Sequence, residues 1–125
     1  MPIDAKLPYD ASNIFARILR GEVPAKTVLE SEHSLAFHDI NPLAPIHVLV
    51  IPRGAYVSWD DFAATASDAE IADFTRTIGK VAAQVGAVQQ GYRLLSNIGK
   101  RGGQEVPHLH VHLFGGASLG AMLAK

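Results

Sequence analysis

The sequence predicts an α+β fold, a mainly antiparallel five-stranded sheet with one short and one long helix on one face. Three observations carry this reading. Five runs read as strands, only one long helical stripe interrupts them, and the order is helix, three strands, helix, two strands. A doubly wound fold needs several crossover helices, and here there is one. At 125 residues the chain reads as a single domain over 12–125, preceded by an extended tail over 1–11 that holds two prolines and mixed charge.

The elements follow from local chemistry. In "SNIFARILRG", Ser12 is the expected N-cap, Ile14, Phe15, Ile18 and Leu19 form one stripe, and Gly21 stops the helix. "KTVLES", "SLAFHDI" and "IHVLVIPR" are the first three strands, with "NPLAP" breaking the chain before the third. In the second strand, alternation sets Leu35, Phe37 and Asp39 on one face and Ala36, His38 and Ile40 on the other. A loop through Trp59 leads to the long helix. Ser67 and Glu70 have capping-box spacing there, and Ile71, Phe74, Ile78, Val81, Ala82 and Val85 repeat at helical period up to Gly86. "GYRLLSN" reads as the fourth strand, "NIGKRGGQEV" as a Gly-rich loop and "PHLHVHLF" as the fifth strand.

Composition narrows the function. Apolar content of 48% and charged content of 18% describe a foldable globule, and the net charge of −1 without a basic block disfavours phosphate-driven nucleic-acid binding. The absence of cysteine removes disulfides, cysteine nucleophiles and cysteine-based zinc sites. No run reaches the length of a membrane span and the N-terminus has no signal-like apolar stretch, so a cytoplasmic location with no membrane partner is expected.

The chemistry concentrates in residues 107–114. Strand alternation points His108, His110, His112 and Phe114 to one face and Leu109, Val111 and Leu113 to the other. A purely structural placement is the first reading. Imidazole has low β-propensity, however, and each ring has a nitrogen that needs a partner, so chance does not explain three on one face. A metal site is the second, but ends of the trio about 13 Å apart require a ligand from elsewhere, such as His47. Nucleophilic catalysis is the third. A neutral imidazole brings no negative charge to an anionic phosphate, provided its second nitrogen is held as N–H by an acceptor. Gly102 and Gly103 can turn backbone N–H groups toward an anion, and Gln104 adds a side-chain amide.

"GGQEVPHLHVHLFGG" resembles the signature of the histidine-triad (HIT) superfamily, His-φ-His-φ-His-φ-φ with φ apolar. "NIFARILRGEVPAK", "LAFHDINPLAPIHVLVIPR" and "GYRLLSNIGKRGGQEV" are similar to further blocks of its Hint branch, the nucleotide-binding phosphoramidases, over roughly residues 13–123. The resemblance implies the HIT fold. It implies that His110 is the nucleophile, that the carbonyl of His108 orients it, that His112 contacts phosphate and that His47 supports the triad. It further implies phosphate-side contacts from Asn97, Gly103 and Gln104, and ribose binding by Asp39. The base pocket would come from Phe15, Ile18, Val23, Phe37, His38 and Ile40. The expected function is hydrolysis of the P–N bond of purine nucleoside phosphoramidates to AMP, with no cofactor or metal required, in a homodimer whose two sheets are continuous. A dinucleoside polyphosphate hydrolase, using Lys100 and Arg101, and a nucleotide-binding adaptor are the alternatives. Glu105 stands where some relatives carry serine, and Pro107 where an aromatic is common.

Overall fold

A computed structural model describes residues 1–124. Five antiparallel strands form one sheet in the order β1-β2-β3-β5-β4. They are β1 (Thr27–Glu30), β2 (Ser34–His38), β3 (Ile46–Pro52), β4 (Arg93–Leu95) and β5 (Val111–Gly115). Four helices accompany them: α1 (Ile14–Leu19), α2 (Trp59–Thr65), α3 (Asp68–Gln84) and α4 (Gly99–Gly102).

Both faces of the sheet are covered, which corrects the expectation of helices on one face. On one side, Ala36, Val48, Val50, Val111 and Leu113 pack against Phe62 of α2 and Phe74, Ile78, Val81 and Ala82 of α3. On the other, Leu35, Phe37, Leu49 and Ile51 pack against Phe15, Ile18 and Leu19 of α1. This explains why β2 and β3 are apolar almost throughout and not alternating. The second, smaller cluster leaves part of its face for polar work.

Two helices exceed the expected pair. The segment through Trp59 is α2, started by a capping box of Ser58 and Asp61 that directly precedes the box of Ser67 and Glu70 on α3. The Gly-rich loop contains the one-turn α4, which ends at Gly103 in the left-handed region, φ +78°. Asn13, not Ser12, caps α1: its Oδ1 accepts from Ala16 N–H at 2.9 Å, while Ser12 bonds to Asp10. Ile14 consequently turns outward. The fifth strand also starts later than its pattern, because residues 108–110 precede the β3–β5 ladder. Among the described residues, no helix is long and apolar enough to cross a membrane.

Candidate active site

Antiparallel register assembles the histidines. On β3 and β5, His47 lies opposite Phe114 and Leu49 opposite His112, so odd residues of β3 share a face with even residues of β5. The ring of His47 sits 5.2 Å from that of His112 and 4.3 Å from Phe114. His112 and His110 meet edge to face at 5.1 Å, and Phe15 of α1 closes over His110 at 5.0 Å. Leu109, Val111 and Leu113 bury themselves beneath α3, as the alternation requires.

Each tautomer follows from an obligatory donor or acceptor. His110 Nδ1 faces the carbonyl of His108 at 2.7 Å; a carbonyl only accepts, so Nδ1 carries the proton and Nε2 keeps its lone pair. His108 Nε2 likewise donates to the carbonyl of Pro52 at 2.8 Å, leaving Nδ1 to accept from the Tyr9 hydroxyl at 2.6 Å. His47 Nδ1 accepts the Leu43 amide at 3.1 Å, so its Nε2–H donates to His112 Nδ1 at 2.9 Å. His112 then holds its proton on Nε2. Ser96 Oγ donates to the carbonyl of His110 at 2.9 Å and steadies the segment before the ladder.

All four imidazoles favour the neutral form. Burial pushes the pKa of His108 down to about 4, against the raising effect of the Pro52 carbonyl. Burial, reinforced by the neighbouring histidines, brings His112 to about 4 as well. His110 and His47 are lowered too, again mainly by burial, with the Asp39 carboxylate pulling weakly the other way.

A cleft of about 270 Å³ opens on this face, lined by Phe15, Leu49, Val106, Asp39, Asn97, Gly103, Glu105, His110 and His112. His108 does not reach it. That ring is wholly buried between Tyr9 and Pro52, so two of the three aligned histidines face the cleft and the third supports them. Asp39 Oδ1 accepts the Asn41 amide at 2.8 Å and Oδ2 lies 3.5 Å from His47 Nε2.

The Gly-rich loop departs from expectation. The N–H groups of Gly103 and Gln104 turn back onto the carbonyls of Lys100 and Gly99, because the end of α4 must satisfy its own acceptors. The Gln104 side chain is buried and spent: its amide donates to Val57 and Val106 and its oxygen accepts from Gly99. Gly103 is a cleft wall, and Gln104 fixes the loop. Of the expected base-pocket residues, Phe15 lines the cleft, Phe37 packs behind it and Ile18 joins the same cluster. Val23 is half-buried, while His38 is exposed and Ile40 is 91% exposed, so they form no wall of this cleft. Lys100 and Arg101 line a separate cavity with Asp4, Lys6 and Asp60.

Asp39, His47 and His112 place three ligand atoms within 4.8 Å of one another, the one group among the described residues able to hold a metal ion. Within this group, His47 and His112 already share the 2.9 Å hydrogen bond described above.

Comparison with known proteins decides the family. The HIT domain profile matches residues 20–119. The chain belongs to the HIT family. It is 62% identical over 117 residues to an uncharacterised 13.2 kDa HIT-like protein of Azospirillum brasilense, covering 94% of this chain and 96% of that one. It is 41% identical over 111 residues to the purine nucleoside phosphoramidase of Escherichia coli K12, covering 89% and 92%. Its fold resembles the HIT family hydrolase of Clostridium thermocellum, with a TM-score of 0.82 at 37% identity over 90% of this chain and 97% of that one. The five-stranded sheet and its histidine face are thus those of a HIT-family hydrolase. Tyr9, Pro52, Leu43 and Ser96 were invisible to sequence reasoning. Three of them act through or upon main-chain groups, which carry no sequence signal, and the fourth lies in a segment read as a tail.

Proposed function

We propose that this HIT-family protein hydrolyses the P–N bond of purine nucleoside phosphoramidates, releasing AMP and an amine. The observation that carries the reading is His110, whose Nδ1–H is pinned at 2.7 Å to a carbonyl while it lines the cleft. Its Nε2 lone pair attacks phosphorus as the P–N bond to the amine breaks, and the amine nitrogen takes up a proton from solvent as it leaves. Water then cleaves the new Nε2–P bond, returns a proton to solvent and regenerates the imidazole. His112 Nε2–H donates to a phosphate oxygen, the Asn97 amide offers a second donor, and Asp39 accepts from ribose hydroxyls.

The charge of the cleft supports a substrate of low charge. Its lining contains two carboxylates, Asp39 and Glu105, and no lysine or arginine. A polyphosphate chain would meet that pair with nothing to neutralise it. The basic residues expected to serve such a substrate line the other cavity. The 41% identical relative named as a phosphoramidase points the same way. The reaction needs no metal, since the nucleophile is already a free lone pair. A homodimer pairing along β4 fits the exposure of Tyr92 and Leu94 at that sheet edge.

The test is to incubate the protein in EDTA with adenosine 5′-phosphoramidate and, separately, with diadenosine triphosphate. Rapid AMP release from the first alone is expected. Release mainly from the second identifies a dinucleoside polyphosphate hydrolase, and release from neither an adaptor. Activity lost in EDTA and restored by zinc would transfer the chemistry to a metal.

A further inference from the structure

Among the described residues, Tyr9 carries the one hydroxyl bonded to a triad ring, and the proposed reaction gives it no role. It lies in the segment before α1, with its oxygen 2.6 Å from His108 Nδ1 and its ring edge-on to the imidazole at 5.5 Å. We propose that Tyr9 is a positioning residue, which donates to His108 Nδ1 as a second anchor beside the Pro52 bond and so steadies the carbonyl that carries the His110 ring. Its part in turnover rests on the function proposed above.

The segment is anchored, not trailing. Ile3 N–H donates to the Gln104 carbonyl at 2.7 Å, which ties the chain's start to the loop before the triad. At the other end, Asp10 accepts from the Ser12 amide and hydroxyl, and the Asn13 side chain donates to the Asp10 carbonyl. Tyr9 is held between these two fastenings.

His108 has little freedom of its own. It is wholly buried, and its Nε2 faces the Pro52 carbonyl, so the ring carries its proton there. A neutral imidazole then has a bare lone pair at Nδ1, and a buried acceptor without a donor is destabilising. Protonating the ring is no escape, since burial holds its pKa near 4. Tyr9 supplies the donor. Without it, His108 keeps an orphaned Nδ1, and the residue whose carbonyl receives His110 Nδ1–H loses one of its ring's two anchors.

Tyr9→Phe keeps the ring packing and removes only the hydroxyl. In the wild-type protein, ¹⁵N spectra of the imidazoles should show His108 as the Nε2–H tautomer alone, with a His110 Nδ1–H that exchanges slowly. In Tyr9→Phe, a downfield ¹⁵N shift of His108 Nδ1, which loses its donor, and about tenfold faster exchange of that His110 proton are expected, the equivalent of one hydrogen bond. The kcat for adenosine 5′-phosphoramidate should fall about tenfold with KM within about twofold, since orientation and not binding is lost. Unchanged exchange of the His110 proton would overturn the proposal, and so would an unchanged kcat in a protein that does turn over the substrate. The spectra need no substrate. A wild-type protein inert toward the phosphoramidate but with these spectral changes in the variant would therefore remove the proposed function and leave the positioning role standing.

Discussion

His110 keeps a lone pair at neutral pH because burial outweighs the His108 carbonyl and the Asp39 carboxylate, both of which favour the charged ring. The carbonyl of His108 fixes the tautomer and burial depresses the pKa below 6.5. The acidic limb of a kcat/KM profile should therefore fall at a midpoint below 6.5, since protonation removes the attacking electrons only there. A midpoint at or above 6.5 would contradict the burial argument. His110→Ala should abolish release of AMP while calorimetric AMP affinity changes by no more than about 1–2 kcal/mol, the worth of a hydrogen bond or two. Stability carries the same signature. His108 binds its proton at about 4 when folded and near 6.5 when unfolded, so the unfolded state holds more protons between those values. The sign is thus fixed: stability is complete above about pH 6.5 and is lost as the pH falls toward 4. The loss from this residue is about 3 kcal/mol, from 1.36 kcal/mol per pH unit. Urea titrations at pH 7 and pH 4.5 measure it, and His108→Gln should flatten the difference.

At the scale of elements, β5 does two jobs through a period of two. Its odd residues are core and its even residues are site, so a change on one side should separate stability from chemistry. Leu113 is fully buried under α3. Leu113→Ala should cost about 2–5 kcal/mol in denaturant unfolding while leaving the pH midpoint of the surviving activity where it was. A shifted midpoint would mean that the two faces are coupled through the strand. Just past the strand, Gly116 adopts φ +85°, and a Cβ there would lie 2.9 Å from that of Pro45. That turn holds the loop before β3 against the end of β5, and with it the register that sets His47 beside Phe114. α3 contributes from the far side, its start held by the reciprocal bonds of Ser67 and Glu70. Its packing lets the histidine face stay partly polar, because the larger hydrophobic cluster lies on the opposite side of the sheet.

For the molecule as a whole, the cleft is a junction of five stretches: α1, the residue after β2, β3, the segment between β4 and β5, and β5 itself. A ligand that bridges them should resist unfolding. AMP at about a hundred times its dissociation constant should add about 2.7 kcal/mol, seen as a higher unfolding midpoint, if it binds the folded chain alone. No shift at saturating AMP would take the nucleotide out of this cleft. Sedimentation at micromolar concentration tests the homodimer proposed along β4, for which a monomer is the contrary result.

The sequence alone determined the strand runs, the long helix with its capping box and the histidine face of β5, since periods of 2 and 3.6 and cap spacing are local properties. Its motif also pointed to the family that comparison established. It misread the segments whose structure is set at long range. Residues 1–11 looked like a tail, because a tyrosine's value depends on a histidine ninety-nine positions away. Gly102, Gly103 and Gln104 looked like an anion cradle, because only the folded loop shows that the N–H groups of Gly103 and Gln104 turn back onto α4. Tertiary structure alone decided that the His108 ring is buried between Tyr9 and Pro52, that the helices flank both faces and that Lys100 and Arg101 lie outside the cleft. Side-chain period tells which way a residue points, but the partners that fix its proton come from wherever the chain has folded to meet it.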